Sequence, residues 1–139
     1  AYNVGSVFRT SDAFLVQAIY IIGYSAKPPH KEIKKTALGA EETVEWKHFK
    51  TSAEAIEELK SKGYKIYAVE QVESSISLEK FNVADNIAVV FGNEVTGVEQ
   101  STIAICDGSI EIPQLGMKHS LNIATAVGVV LWEMVRKKL

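Results

Sequence analysis

Short apolar runs that alternate with helix-like segments constrain the fold more than any other feature of this sequence. Three runs predict strands: AIYIIGY at residues 18–24, YKIYAVE at 64–70 and NIAVVFG at 86–92, the last apolar enough to be central. Between the first two lies TSAEAIEELKSKG, where Thr51 and Glu54 have capping-box spacing and Gly63 marks a helix end. Strands that alternate with helices predict an α/β fold, with a parallel sheet flanked by helices on both faces.

The remaining segments extend this pattern. TVEWKHF predicts a half-exposed strand, and GSIEIP predicts a short one. Helices are predicted over residues 3–14, 98–107 and 120–137. We find no internal repeat and no low-complexity segment, so the 139 residues predict a single domain with a core of its own.

The last predicted helix is apolar on nearly every side. Its opening residues, Ser120-Leu121-Asn122, are the exception, and a serine side chain there can cap the first turn. Capping explains one polar residue but not two. A helix that is apolar all round must be buried on most sides, and in a small domain a second subunit can cover the side that faces away from the sheet. The sequence therefore predicts a homodimer.

Composition excludes several classes of protein. Cys106 is the only cysteine, which excludes an internal disulfide framework and predicts a reducing cytoplasm. No apolar run reaches the length of a membrane span, and no signal peptide opens the chain. The net charge of −2 does not favour nucleic-acid binding by the domain as a whole.

One stretch of the chain, KPPHKEIKK at residues 27–35, is nevertheless basic. We refer to its four lysines as the basic stretch: Lys27, Lys31, Lys34 and Lys35. Such a segment is typical of a solvated loop or short helix, and it is also the kind of local surface that holds phosphates.

Several familiar catalytic and cofactor patterns are absent. GNEVTG at residues 92–97 continues with Val98-Glu99 where a phosphate-binding P-loop needs Lys-Ser/Thr, and no G-x-G-x-x-G follows an early strand. His30, His48 and His119 are scattered, so no metal-ligand spacing exists and no metal is expected. No G-x-S-x-G elbow supports a nucleophilic serine.

Three short polar stretches remain, at strand ends or helix starts, where ligands bind in open α/β sheets. The first is NVGSVFR, in which Asn3 could simply cap a helix that carries Arg9 on its exposed face. The second is GNEVTG, whose glycines allow backbone to approach a ligand closely. The third runs from Ile112-Pro113 to Asn122.

In this order the three stretches resemble the motifs of the SpoU/TrmH-type RNA ribose 2′-O-methyltransferases of the SPOUT superclass. The family's N-x-G-x-x-x-R motif is matched by Asn3, Gly5 and Arg9, and its G-N-E-x-x-G motif by Gly92, Asn93, Glu94 and Gly97. Its I-P…S-L-N motif is matched by Ile112, Pro113, Ser120, Leu121 and Asn122. The resemblance covers essentially the whole chain. Family members normally place a strand before the first motif, so an N-terminal strand is either absent here or precedes residue 1.

The resemblance implies an α/β knot, in which the chain around residues 92–122 threads through a loop to form a deep C-terminal trefoil. It also implies a bent S-adenosylmethionine in the knotted crevice. The positions that match cofactor contacts are Val69, Gly92, Ile112, Ser120 and Leu121. Gln114 stands where methionine is usual in the family, which changes one wall of that pocket.

The activity implied by the resemblance is methyl transfer to a ribose 2′-hydroxyl of tRNA or rRNA, by a cytoplasmic homodimer. Arg9 matches the family's catalytic residue, either as a clamp for phosphate and alkoxide or as a base; Asn3 and Glu94 would orient it or the substrate, and Asn122 would hold the target ribose or the loop. The basic stretch would bind RNA. Two alternatives are a catalytically inactive RNA- or cofactor-binding module and an unrelated flavodoxin-like nucleotide binder.

Overall fold

Helices and parallel strands alternate along the chain in the computed structural model, which describes residues 1–93, 96–117 and 120–139. The elements, in chain order, are α1 (Tyr2–Ala13), β1 (Ala18–Ile22), α2 (Lys31–Ala37), α3 (Ala40–Thr43), β2 (Glu45–Phe49), α4 (Ser52–Ser61), β3 (Lys65–Val69), β4 (Ile76–Ser77), β5 (Ile87–Val90), α5 (Gln100–Ile105), β6 (Gly108–Glu111) and α6 (Ile123–Arg136). A short 3₁₀ turn covers Leu78–Lys80. The predicted α/β class is therefore confirmed. Two compact units divide the chain, Ala1–Ala55 and Ile56–Leu139.

The first unit is a two-stranded parallel sheet with helices α1, α2 and α3. Ala18 of β1 pairs with Glu45 of β2, and the register continues to the ends of both strands. Phe8, Ile21 and Ile33 belong to its core, and Phe8 and Ile33 are fully buried. Burial of these side chains stabilises the unit through the hydrophobic effect.

The second unit contains a four-stranded sheet in the order β4-β6-β3-β5, with every pair parallel. One cluster of buried residues forms its core: Leu78, Phe81, Ile110 and Val130. The rings of Tyr67 and Phe81 meet edge to face, with centroids 4.7 Å apart, which is a favoured geometry for aromatic pairs. The core thus connects the middle of the sheet to α6 and to the 3₁₀ turn.

Several elements differ from their predictions. The described strands pair as two sheets where one was predicted, and β5 lies at the edge of its sheet instead of the centre. The apolar run of β5 reflects packing against the core, where Ile87 and Val89 contribute, and not the number of neighbouring strands. The basic stretch contains a short helix, α2, whose buried side is Ile33 and Ala37. Helix α3 and strand β4 were not predicted.

Helix α6 is buried on one side and exposed on the other within the structure of the single chain. Val127 and Val130 are 3% and 0% exposed, whereas Val129 and Trp132 are 39% and 49% exposed. The helix begins at Ile123, and its N-cap is Asn122, not Ser120. The Asn122 side-chain oxygen accepts hydrogen bonds from the backbone N–H groups of Ala124 and Thr125, at 2.9 and 3.4 Å. A covering partner for the exposed side stays a prediction.

Candidate functional site

A cavity of about 410 Å³ lies at the carboxyl ends of the strands in the second unit. Strand β3 pairs in parallel with both β5 and β6, so the carboxyl ends of all three strands lie on the same side of the sheet. Open α/β sheets bind ligands at these strand ends, because loops and free backbone groups meet there. The volume lies within the range of small-molecule sites.

The five residues predicted to contact the cofactor all line this cavity. Val69 ends β3, Gly92 follows β5, and Ile112 follows β6. Ser120 and Leu121 complete the set from the segment that leads into α6. The structure therefore brings together positions from four separate segments of the sequence. Gln114, the departure from the family pattern, also lines the cavity.

Four residues after β5 come close together, Gly92, Asn93, Gly97 and Val98, and we refer to these four as the glycine-bounded turn. Asn93 and Gly97 form an isolated antiparallel bridge, with N–H···O distances of 3.2 and 2.8 Å in the two directions. Gly97 has a φ of +68°, and a Cβ at Gly92 would lie 2.1 Å from the carbonyl carbon of Gly97. Both positions thus require glycine, for the turn and for the close approach of two backbone segments. Glu94, a predicted catalytic residue, lies outside the described residues.

Glu70 is one of the two acidic residues, with Glu111, that sequence reasoning missed among the described residues of the cavity wall. It directly follows β3, so it occupies the same structural position as Gly92 and Ile112 occupy after their strands. Its carboxylate accepts the backbone N–H groups of Gln71, at 3.1 Å, and Val98, at 3.0 Å. The available signal was its position at a predicted strand end, since no motif of the family includes it.

Asn122 lies beside the cavity in sequence but is not among its described lining residues. Its side-chain oxygen is engaged in the cap of α6. The predicted role of holding a ribose or the loop stays a prediction, and the geometry assigns the residue a structural role first. Ser120, which the sequence offered as the cap, is exposed and lines the cavity.

The residues of the first motif lie in the first unit, on α1. The helix starts at Tyr2 with Ala1 as its N-cap, so Asn3 is inside the first turn and does not cap the helix. Gly5 is buried where α1 meets α2: a Cβ at this position would lie 1.8 Å from the Thr36 Oγ1. The Thr36 hydroxyl lies within hydrogen-bond distance of the carbonyl oxygens of Tyr2 and Glu32, at 3.1 and 3.0 Å, and its one proton can be donated to either. The glycine of the motif is therefore a helix-packing residue.

Arg9 is exposed one turn further along α1, in a shallow depression that it shares with Lys35 and Thr36 of α2. All four lysines of the basic stretch are exposed. His30 caps α2, because its Nδ1 accepts the Glu32 N–H at 3.1 Å. Together, Arg9 and Lys35 form a positively charged surface that suits phosphate, and hydroxyl groups line the same depression.

Two further properties concern metals and membranes. Within residues 1–93, 96–117 and 120–139, no group of three or more His, Cys, Asp or Glu side chains could hold a metal ion. None of the helices in that part of the chain is both long and apolar enough to cross a membrane.

The fold and the cavity define an α/β protein with a candidate ligand site at the carboxyl ends of the strands of a parallel sheet. The sequence model of the SpoU rRNA Methylase family matches residues 1–132. The chain therefore belongs to that family, which excludes an unrelated flavodoxin-like protein.

Individual relatives agree with this membership. The chain is 31% identical to the tRNA (guanosine(18)-2′-O)-methyltransferase of Thermus thermophilus over 138 residues, which cover 99% of this chain and 70% of the relative. It is 30% identical to the 23S rRNA (guanosine-2′-O-)-methyltransferase RlmB of Xanthomonas axonopodis pv. citri, with 99% and 55% covered. The crystal structure of the A. aeolicus TrmH/SpoU tRNA modifying enzyme superposes with a TM-score of 0.87 at 28% identity, covering 99% of this chain and 69% of that one. This chain thus spans roughly half to two thirds of the length of such relatives.

Proposed function

We propose that this chain is an RNA methyltransferase that transfers a methyl group from S-adenosylmethionine to a ribose 2′-hydroxyl of tRNA or rRNA. The observation that carries the proposal is the meeting of Val69, Gly92, Ile112, Ser120 and Leu121 around one cavity. Relatives named as guanosine 2′-O-methyltransferases of tRNA and of 23S rRNA support the reaction and the class of substrate. Structural neighbours solved with AdoMet support the cofactor.

The cavity fits such a cofactor in size and in kind. Its walls combine apolar side chains, such as Val69 and Ile112, with backbone exposed at the glycine-bounded turn. Apolar walls suit an adenine ring, and backbone N–H and C=O groups can hydrogen-bond its edge and the amino-acid part. When bound, S-adenosylmethionine supplies a methyl group activated by a positively charged sulfur. The residues of this chain would hold the donor, exclude water and leave the methyl side open.

Arg9 is the residue we assign to the reacting hydroxyl. A guanidinium keeps its proton at all ordinary pH values, so it is a poor general base and a good hydrogen-bond donor to phosphate or alkoxide. We assign it a clamp on the adjacent phosphate that also stabilises charge developing on the 2′-oxygen. The hydroxyl would lose its proton to solvent as its oxygen bonds to the methyl carbon, and the carbon–sulfur bond would break to leave neutral S-adenosylhomocysteine. Asn3 and Glu94 would orient Arg9 or the RNA, and Asn122 would hold the loop that carries Ser120.

RNA binding is assigned to the basic stretch. Its lysines are exposed, and Lys35 shares a depression with Arg9. Because phosphates dominate the affinity of nucleic acids for proteins, a local basic surface can bind RNA although the net charge of the chain is −2. The surface would place the RNA backbone beside Arg9.

We further propose that residues 1–139 act as one methyltransferase domain, in a cytoplasmic homodimer. Exposed Val129 and Trp132 lie three residues apart on one side of α6, and a second copy of the chain would cover them. We also propose the finer fold of the family, with helices on both faces of the sheet and a trefoil knot around residues 92–122. The all-parallel order β4-β6-β3-β5 and the tight packing of Gly92 against the Gly97–Val98 backbone support it.

The test combines binding, mass and transfer. Calorimetric titration with S-adenosylmethionine should show binding in the micromolar range, with the solution mass of a dimer. Incubation with unfractionated tRNA or rRNA and labelled methyl donor should then yield labelled 2′-O-methylnucleosides. Arg9→Ala should abolish transfer and leave donor binding nearly unchanged.

The alternative, a catalytically inactive module, predicts a different result of the transfer experiment. Such a protein would bind RNA or the donor but give no labelled nucleoside with any RNA pool. Transfer that persists unchanged in Arg9→Ala would contradict the role assigned to that residue, while leaving the activity established.

A further inference from the structure

Glu70 connects three of the four chain segments that meet at the cavity. Its backbone N–H donates to the carbonyl oxygen of Ile110 in β6, at 3.0 Å, and its own carbonyl oxygen accepts the Ser75 hydroxyl at 2.7 Å. Its carboxylate accepts the N–H groups of Gln71 and Val98. The polar groups of this one residue therefore bond to β6, to the loop after β3 and to the segment after β5, and two of the partners, Gln71 and Val98, line the cavity.

The bond to Val98 crosses from β3 to the far end of the glycine-bounded turn. Val98 is 7% exposed, so its N–H needs a partner inside the protein, and the Oε2 of Glu70 supplies it at 3.0 Å. A carboxylate is a strong acceptor for such a group, because the bond is charge-assisted. This contact joins residues 28 positions apart.

The shape of the turn is matched to this carboxylate. A Cβ at Gly97 would lie 2.2 Å from the Glu70 Oε2, so the side chain rests directly against the backbone of the turn. Glycine at 97 therefore serves two needs: its φ of +68° and the space taken by the carboxylate. The turn and the glutamate form one packed unit.

We infer that Glu70 is a positioning residue, whose carboxylate holds Gly97 and Val98 of the glycine-bounded turn against the end of β3 and so fixes this wall of the cavity for its ligand. Without it, the buried Val98 N–H would lose its partner and the turn would shift or open. The identity of the ligand as S-adenosylmethionine rests on the proposed function. The role of Glu70 in holding the turn does not depend on any ligand.

Two variants separate the carboxylate's hydrogen bond from its other properties. Glu70→Gln keeps an oxygen that can accept the Val98 N–H, and Glu70→Ala removes it. We expect Glu70→Ala to weaken S-adenosylmethionine binding about tenfold or more. Glu70→Gln should bind S-adenosylmethionine more tightly than Glu70→Ala and more weakly than the unchanged protein, because its one amide oxygen can accept the Val98 N–H but cannot also accept the Gln71 N–H. Partial rescue by glutamine would show that the hydrogen bond to Val98 contributes apart from the charge.

A matched control exists at the opposite end of the same strands. Asp107 is also a carboxylate that accepts a backbone N–H, that of Ile66, at 2.8 Å, but it does not line the cavity. Asp107→Ala should lower stability without changing ligand affinity. A loss of affinity that is equal in Glu70→Ala and Asp107→Ala would overturn the inference, because both changes would then act through general stability.

Hydrogen exchange in the ligand-free protein provides the second readout. The Val98 amide should exchange much faster in Glu70→Ala than in the unchanged protein or in Glu70→Gln, because exchange reports local opening. Unchanged Val98 exchange would overturn the inference even if the donor binds. If the unchanged protein binds no S-adenosylmethionine, the proposed function fails, and the exchange result still decides whether Glu70 holds the turn.

Discussion

At the scale of single residues, neighbouring side chains of one motif have separate tasks. Asn122 caps α6 through two backbone N–H groups, whereas Ser120, two positions earlier, faces the cavity. In the first motif, Gly5 allows two helices to pack closely and Arg9 is exposed one turn later. One motif therefore contains residues that the fold requires and residues of the candidate site, and the structure distinguishes the two kinds.

The cap and the cavity wall can be tested apart. Asn122→Ala should lower the free energy of unfolding by about 1 kcal/mol, because the first turn of α6 loses its side-chain acceptor. Ser120→Ala should leave stability nearly unchanged, since its side chain is exposed and does not cap the helix. Chemical denaturation followed by circular dichroism measures both. A larger loss in Ser120→Ala than in Asn122→Ala would contradict the assignment of the cap.

Site residues were predictable from the sequence where a motif carries them, and less so elsewhere. The five cavity positions follow from the resemblance, and strand ends suggested where they would meet. Glu70 was missed because its contribution depends on Val98, far away in sequence, which no local pattern reveals. The cap was placed at Ser120 because serine and asparagine have similar capping preferences, so the sequence cannot choose between them.

At the scale of elements, α6 is joined to the 3₁₀ turn by a buried polar contact as well as by the core. The Lys137 ammonium group, just after α6, donates to the carbonyl oxygens of Leu78 and Phe81, both at 2.7 Å. Its side chain is 19% exposed, and Glu133 lies 3.5 Å from the same group. One lysine thereby donates to a carbonyl group of the 3₁₀ turn and to that of the residue after it.

Replacement of this lysine should loosen the end of α6. Lys137→Met keeps most of the side-chain volume but removes the donor to the Phe81 carbonyl and one of the two donors to the Leu78 carbonyl, which also accepts the Phe81 N–H. We therefore expect a loss of about 1–3 kcal/mol in the free energy of unfolding. Lys138→Met is the control: its pair with the fully exposed Asp85 should contribute less than about 1 kcal/mol. Equal effects of the two changes in urea denaturation would refute the special role of Lys137.

Element types were easier to predict than the relations between elements. Periodicity and capping signals identified α4, where the Glu54 N–H donates to the Thr51 Oγ1 at 3.2 Å as the capping box requires. The position of β5 at a sheet edge was not predictable from the sequence. Apolar content indicates how deeply the two faces of a strand are buried, but it does not indicate how many strands pair with it. The two-residue strand β4 is too short to show any alternation.

At the scale of the whole molecule, the charge is unevenly distributed although its sum is small. The basic stretch lies in the first unit, on and before α2, whereas acidic Glu70 and Glu111 line the cavity of the second unit. This separation fits the two ligands of the proposed function, since RNA is an anion and S-adenosylmethionine carries a positive sulfonium centre.

The salt dependence of RNA binding tests this distribution. Lys34→Glu combined with Lys35→Glu should weaken binding of unfractionated tRNA and reduce the slope of log affinity against log salt by about 1.4 or more, because two phosphate contacts are lost. Lys60→Glu with Lys80→Glu makes the same change in net charge at exposed positions outside the basic stretch and should have a much smaller effect. Equal slopes in both variants would indicate that the basic stretch is a solvated surface and does not bind RNA.

The close contact between Gly5 and Thr36 has a consequence for how members of such a family can diverge. A descendant that lost its chemistry would be free to replace Arg9, yet any side chain at position 5 would still force α1 and α2 apart. Within the first motif, the glycine would then be conserved longer than the arginine. In a comparison of related sequences, the glycine would then indicate only that the fold is inherited, whereas loss of the arginine would mark proteins that lack the proposed chemistry.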